Sequence, residues 1–289
     1  MNKELTIVFS SYASEKLLIK ILKSIDRNFK SVVIENSLNK EVKKNLEKRF
    51  KNVKVIIPKN NLGLAKSYNI GIKNSKTKYV FLNNPDIEIS IKSIKDLIKC
   101  AKKIKNFGII SPTYKIEKMY KNYSISSPKE KKTFKDLKSL NLLEVDLIDN
   151  NFLIKKRNFD KCKFDENYFL YFETLDFCSS LKKKGEKLYV SKKIKFHHYG
   201  SSSLPLVYNN LVRKTRSFHY IWSKFYYFKK NFSYLRGMRE TLGHFIKSLI
   251  KLVFFYPINT NKFLINKNRA LGLINSYLGK PSWRRPNLK

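Results

Sequence analysis

Apolar residues over roughly the first 110 positions follow two alternating rhythms. Short apolar runs at Leu5–Phe9, Val32–Ile34, Val53–Ile57, Tyr79–Leu82 and Gly108–Ser111 read as strands, the third closed by Pro58. Between them, apolar residues recur three and four positions apart. Leu17, Leu18, Ile21, Leu22 and Ile25 mark a helix that Ser14 would cap. A charged helix is predicted over about 39–50, another over 63–74, and a fourth from a Ser90 cap to about Ile104.

Strand–helix alternation with short links predicts right-handed βαβ units. The expected fold is α/β, with a mostly parallel sheet flanked by helices. Ligands of such sheets sit beyond the carboxyl ends of the strands. That rule puts Ser10–Tyr12, Glu35–Ser37, Asn60–Gly63 and Asn83–Asp86 on one rim, all polar or turn-forming, as a nucleotide site requires. Residues 112–140 are rich in Lys and Ser with weak periodicity and read as a surface excursion. A second compact section runs from Val145 to about Ser203. The last third reads as helical, with Phe245, Ile246, Leu249, Ile250, Val253 and Phe254 in one stripe and Lys247 and Lys251 opposite.

Charge adds a constraint. Lys and Arg number 61 against 22 Asp and Glu, a formal net charge of +39. From Lys187 to Lys289 there are 21 basic residues and one acid, Glu240. Such a field favours phosphates, an anionic membrane or nucleic acid. No helix-turn-helix, zinc or RNA-recognition signature is present and the cations are spread along the chain, so no nucleic-acid partner is expected. Cys100, Cys162 and Cys178 lack paired spacing and read as reduced thiols. The chain enters its first strand without a long apolar leader and holds no apolar stretch of about 18 residues. The expected location is therefore cytoplasmic, peripheral on the inner face of the cell membrane.

Four segments carry candidate chemistry. Asn83-Asn84-Pro85-Asp86 follows a strand directly and presents a carboxylate at the rim, suited to Mg²⁺ or Mn²⁺ on a diphosphate. The same tetrapeptide is also a good β-turn. Upstream, Gly63 permits a tight entry into a helix whose N-terminus favours an anion. Asp165, Glu166, Glu173 and Asp176 fall within twelve residues, among aromatics. Glu173 and Asp176 would share the first turn of a helix, where burial favours a base and the helix dipole favours acids. His197, at a strand end beside Gly200 and hydroxyls, reads as a metal or pyrophosphate ligand, or as a structural histidine.

In this order, the segments resemble family 2 glycosyltransferases of the GT-A fold, especially the rhamnosyltransferase-like branch. The resemblance covers about residues 4–230. It implies a catalytic domain over 1–230, with a nucleotide-binding half (about 1–111) and an acceptor half (about 145–203), followed by a basic helical extension over 231–289. It further implies inverting transfer from a nucleoside-diphosphate sugar, dTDP-rhamnose or a UDP-sugar, to a saccharide or lipid-linked saccharide in cell-surface polysaccharide synthesis. Ser11, Tyr12, Glu35, Asn61, Gly63, Lys66 and Asn84 inherit nucleotide contacts. Asp86 and His197 inherit the metal, and Asp165 and Glu166 the acceptor side. Glu173 or Asp176 inherits the base. The family's usual Glu-Asp pair reads Glu173-Thr174 here, so a chain that has lost catalysis is the alternative. A glycine usual near the acceptor site is replaced by Asn150 or Asn151. For the inherited roles to serve one reaction, Asp86, Glu173 and Asp176 must converge on one cleft.

Overall fold

The structure, a computed structural model, describes residues 4–25, 27, 29–114, 121–125, 140–149, 151–199, 209–256 and 258–286. In chain order the first elements are β1 (Leu5–Ser11), α1 (Glu15–Ser24), β2 (Lys30–Glu35), α2 (Lys40–Arg49), β3 (Val53–Ile56), α3 (Gly63–Asn74) and β4 (Tyr79–Asn83). Next come β5 (Ile87–Ile89), α4 (Ile91–Lys103), β6 (Ile109–Tyr114), β7 (Tyr123–Ser124), β8 (Leu142–Val145), β9 (Leu147–Ile148), β10 (Phe152–Lys155), α5 (Lys156–Lys161), α6 (Glu173–Lys183) and β11 (Leu188–His198). Three long helices follow: α7 (Asn209–Asn231), α8 (Tyr234–Phe255) and α9 (Thr260–Tyr277).

The strand–helix alternation holds through α4. Asn39 and Ser90 cap α2 and α4, accepting from the backbone N–H of Glu41 and Ser93. Ser14 occupies its expected cap position, yet its hydroxyl donates to the Tyr12 carbonyl at 3.0 Å and caps nothing. Much of the 112–140 excursion lies outside the described residues.

Among the described residues a nine-stranded sheet forms in the order β3-β2-β1-β4-β10-β6-β11-β5, with β8 also on β11. β3, β2, β1 and β4 are parallel, as the alternation predicts. Beyond β4 the sheet is mixed. β10 enters antiparallel between β4 and β6, and β11 runs parallel to β6 but antiparallel to β5 and β8. Periodicity reports which face a residue occupies and not the direction of its strand, so the expected mostly parallel sheet holds for β3, β2, β1 and β4, and gives way to mixed pairing beyond them. β11 shifts register against β6 between Val190 and Lys195, and its last residues, Phe196–His198, pair with β5.

β1 is covered on both faces, as a central parallel strand should be. Leu5, Ile7 and Phe9 share one core cluster with Leu18 and Ile21 of α1, Val42 and Leu46 of α2 and Leu97 of α4. Val8 faces the other way, where α3 packs through Gly71. A Cβ built on Gly71 would meet Val8 Cγ1 at 2.2 Å. The close approach of α3 to the sheet therefore depends on a missing side chain.

The chain forms two compact units. The first holds the sheet with α1, α2, α4 and α5, most of α3 and the later turns of α6. The second holds α7, α8 and α9 with Gly63–Ala65 and Asp165–Asp176. In the second, α7 and α9 pack through Ile221, Phe225 and Leu273, with Met238 and Phe245 of α8 against them.

Gly71→Ala tests the packing of α3. Helix propensity alone favours Ala by about 1 kcal/mol, but overpacking against the rigid Val8 costs about 1–3 kcal/mol. The expected outcome is a lower urea midpoint with unchanged m.

Candidate active site

At the carboxyl ends of β1 and β2, Glu35 is fully buried. Its Oε2 accepts from Ser11 Oγ at 2.6 Å, and its Oε1 accepts from the N–H of Ala13 at 3.0 Å and of Ser37 at 2.9 Å. A carboxylate has about four acceptor positions, so protein donors fill most of them. Ala13 takes a left-handed backbone (φ 53) that its bond to Glu35 holds in place. Tyr12 and Lys66 are half-buried, as is Asn61 in the turn before α3.

Asn36 was not singled out from the sequence, yet it joins three elements at this rim. Its side-chain amide donates to Ser67 Oγ at 2.9 Å and to the Ser11 carbonyl at 3.2 Å, and its carbonyl oxygen accepts from Leu62 N–H at 3.0 Å. Asn69 was missed as well. It forms a two-way amide pair with the Phe164 backbone at 3.0 and 3.1 Å. Asn36 lies in the rim segment Glu35–Ser37 and Asn69 in the helix that Gly63 opens, but nothing local marks either side chain as a link between elements.

The Asn83–Asp86 segment forms a turn at the carboxyl rim. Ile87 N–H donates to the Asn84 carbonyl at 3.1 Å, which closes the turn, and Tyr68 Oη donates to Asn84 Oδ1 at 2.9 Å. Asp86 Oδ2 lies 3.2 Å from His198 Nε2, and Tyr199 N–H donates to the Asp86 carbonyl at 2.9 Å. Side chains alternate along β11, so the histidine beside Asp86 is His198, while His197 packs edge-on to Tyr199 at 4.9 Å. Among the described residues no cluster of three or more His, Cys, Asp or Glu gathers to hold a metal ion. One carboxylate with one imidazole suits a divalent cation that draws its other ligands from a diphosphate and water. Next to Asn83, Asn151 donates to Asn83 Oδ1 and takes a left-handed backbone (φ 43). Asn151 thus takes a backbone that a glycine would adopt without strain; Asn150 lies outside the described residues.

In the second unit, Asp165–Asp176 wraps its acids in aromatics. α6 begins at Glu173, which places Glu173 and Asp176 in its first turn, both buried. Tyr171 and Phe172 precede them with left-handed backbones (φ 69 and 65), a strained entry for bulky residues. Lys230 of α7 bridges two acids, donating to Asp165 Oδ2 and Asp176 Oδ2, each at 2.7 Å. Asn231 donates to Asp176 Oδ1 at 2.9 Å, and Tyr226 Oη donates to Asp165 Oδ2 at 3.0 Å. Burial works to raise the Asp165 carboxyl, but the Lys230 ammonium, the Asn167 N–H and the Tyr226 hydroxyl hold it below the ordinary value. Burial likewise works to lower Lys230, and its bonds to Asp165 and Asp176 outweigh that and raise it. Glu166 is exposed. Gly63 (φ 74) has no room for a side chain, since a Cβ would meet the Phe169 carbonyl oxygen at 2.2 Å. Phe169 itself lies between His219, with ring centroids 4.4 Å apart, and the Arg285 guanidinium at 4.0 Å.

The sheet order and flanking helices make this the GT-A glycosyltransferase fold. It is similar to GalNAc-T7 in complex with UDP, GalNAc and Mn²⁺, at TM-score 0.58 and 13% identity, over 82% of this chain and 54% of that one. It is also similar to Staphylococcus aureus TarS 1–349, at TM-score 0.52 and 13% identity, over 96% of this chain and 92% of that one. The chain thus spans about half the length of the GalNAc-T7 chain. No curated protein matches it. The glycosyl transferase family 2 model matches residues 6–163, more than half of the sequence. The chain belongs to glycosyl transferase family 2.

Lys230→Met should leave Asp176 buried without its cation. A fully buried pair broken in this way costs about 3–5 kcal/mol; with Lys230 a third exposed, about 2–3 kcal/mol is expected at pH 7. The pH dependence follows from the direction of each shift. Asp165 is held low, so its contribution is complete above about pH 4 and fades as pH falls through the depressed value. Lys230 is held high, so its contribution is complete below about pH 10 and fades as pH rises through the raised value. Urea midpoints from pH 2 to 7 should fall steeply below pH 4 in the parent and much less in Lys230→Met.

Proposed function

We propose that this chain is an inverting glycosyltransferase. It moves a sugar from a nucleoside-diphosphate donor, dTDP-rhamnose or a UDP-sugar, to a saccharide or lipid-linked saccharide of a cell-surface polysaccharide. The observation that carries the reading is the Asp86–His198 contact at the carboxyl rim of a family 2 chain. In this reading Asp86 holds Mg²⁺ or Mn²⁺ with a histidine of the His197–His198 pair, and the 3.2 Å contact favours His198. When bound, the cation offsets charge developing on the leaving diphosphate. Ser11, Tyr12, Glu35, Asn61, Gly63, Lys66 and Asn84 shape the nucleotide side. Asp165 and Glu166 serve the acceptor side.

The base is Glu173. Asp176 already accepts from Lys230 and Asn231, so both of its oxygens are committed to protein donors. The acceptor hydroxyl gives its proton to Glu173 as its oxygen bonds to the anomeric carbon. The bond to the diphosphate breaks on the opposite face, so the configuration inverts. The left-handed pair Tyr171–Phe172 supports this choice, since strain of about 1–3 kcal/mol per residue is retained where a side chain must be aimed. Transfer assayed over a donor panel with Mn²⁺ should fall at least about 100-fold in Glu173→Gln and be lost in Asp86→Ala. Asp176→Asn should lose stability first while keeping measurable turnover. Nucleotide binding with no turnover by the parent over the whole panel would identify a chain without catalysis and overturn the proposal.

The same reading sets the enzyme on the inner, anionic face of the cell membrane. Among the described residues no helix is long and apolar enough to cross a membrane. α8 nonetheless exposes Leu242, Ile246, Leu249, Ile250, Val253 and Phe254 along one stripe, with Val253 at 80%. Lys247 and Lys251 flank that stripe, and the cations of the last third match an anionic leaflet while opposing a second copy of the chain. The chain should float with phosphatidylglycerol vesicles and not with phosphatidylcholine alone. Ile250→Ser/Phe254→Ser should abolish the fraction that survives high salt. Equal flotation of parent and variant at high salt would remove the stripe from the membrane.

A further inference from the structure

We propose that the first unit carries a second anion site, at the opposite rim of the sheet from Asp86, shaped for an oligophosphate. A cavity of about 690 Å³ opens there between the start of β4, the end of α4 and the β10–α5 junction. Tyr79 begins β4 and pairs in register with Lys155 at the end of β10, whereas Asn84 and Asp86 follow the far end of β4. One strand of five residues separates the two rims, roughly 16 Å.

The walls carry Lys76, Lys78, Lys102, Lys105, Lys156 and Arg157, with Lys155 at the base and Asp160 as the one acid. Three of these cations are already engaged. Lys155 is buried, donates to the Lys105 carbonyl at 2.6 Å and lies 4.2 Å from the centre of the Phe107 ring. Lys156 donates to the Ser75 carbonyl, and Lys102 pairs with Glu4 at 2.8 Å. Lys76, Lys78, Lys105 and Arg157 pair with no carboxylate among the described residues. Elsewhere in the chain, Asp146, Asp165 and Asp176 meet a lysine directly. Here the backbone of three elements gathers like charges into one concavity, where low-dielectric walls strengthen their mutual repulsion and their attraction for anions. Burial first, then the positive charges of Arg157 and Lys78, hold Lys155 below the ordinary lysine value, against the opposing pull of Glu186.

A single phosphate would engage one or two of these ammonium groups. An oligophosphate of several charges spans them, and the volume admits one. Lysine ammonium groups bind phosphate as point charges without needing a planar partner, so the cavity selects charge density over shape. The site stands independently of the transferase reading, because none of its residues lies at the nucleotide rim.

The test uses the full chain and inorganic tripolyphosphate as the probe, by calorimetry at physiological salt. The parent should bind one equivalent, Asp86→Ala should bind it equally well, and Lys76→Gln/Lys105→Gln/Arg157→Gln should bind at least 10-fold more weakly. These three side chains make no hydrogen bond among the described residues, so the triple variant should match or exceed the parent's thermal midpoint without ligand, its repulsion having been relieved. A second arm separates free phosphate from a lipid headgroup. If the variant loses tripolyphosphate but still floats with phosphatidylglycerol vesicles, the ligand is soluble; if it loses both, the cavity takes headgroups. Equal tripolyphosphate affinity in parent and triple variant, or loss of binding in Asp86→Ala, overturns the site. Either result leaves the transfer assay standing.

Discussion

A carboxylate buried at the end of a central strand must find its donors within the protein, and Glu35 finds them in both loops that frame the carboxyl rim. Ser11 and Ala13 come from the end of β1, and Ser37 from the turn after β2. Hydrogen bonds to a charged group contribute about 1.5–3 kcal/mol each, so these loops are held far more firmly than their sequences alone would hold them. Asn36, one residue on, extends the constraint to the entry of α3 through Ser67 and Leu62. The rim that a nucleotide would meet is thus shaped before any ligand arrives, which lowers the ordering cost of binding.

The acids of the second unit obey the same physics with a different partner. Asp176 is almost fully buried, and one ammonium, that of Lys230, serves both it and Asp165. A buried charge of this kind is tolerated only when paired and hydrogen-bonded. Its pairing explains how an acid-rich segment folds among aromatics. The family match ends at residue 163, just before this segment. The roles proposed for Glu173 and Asp176 therefore lie outside the matched residues.

The charge excess acts at two levels. Spread over the surface, +39 promotes association with any anion and opposes self-association. Gathered into a cavity or beside an exposed apolar stripe, the same cations become specific. The exposed face of α8 and the basic cavity at the amino rim are both costly in water unless something covers or neutralises them.

The sequence by itself determined the parallel half of the sheet. Its strands and helices appear within a few residues of where apolar spacing put them, and α3 begins at Gly63, because local periodicity and turn chemistry report burial directly. It also located the turn that ends in Asp86 and the acid-rich segment, both marked by unusual local composition. Tertiary structure alone decided the mixed second half of the sheet, since β10 enters between β4 and β6 through contacts that no local pattern encodes. It alone set His198 against Asp86, because the register of β11 on β5 fixes which of two adjacent histidines faces the turn. It alone brought Lys230 to Asp176 across 54 residues. A pairing between distant residues depends on how the chain folds back on itself, and a one-dimensional pattern carries no distance between positions far apart along it.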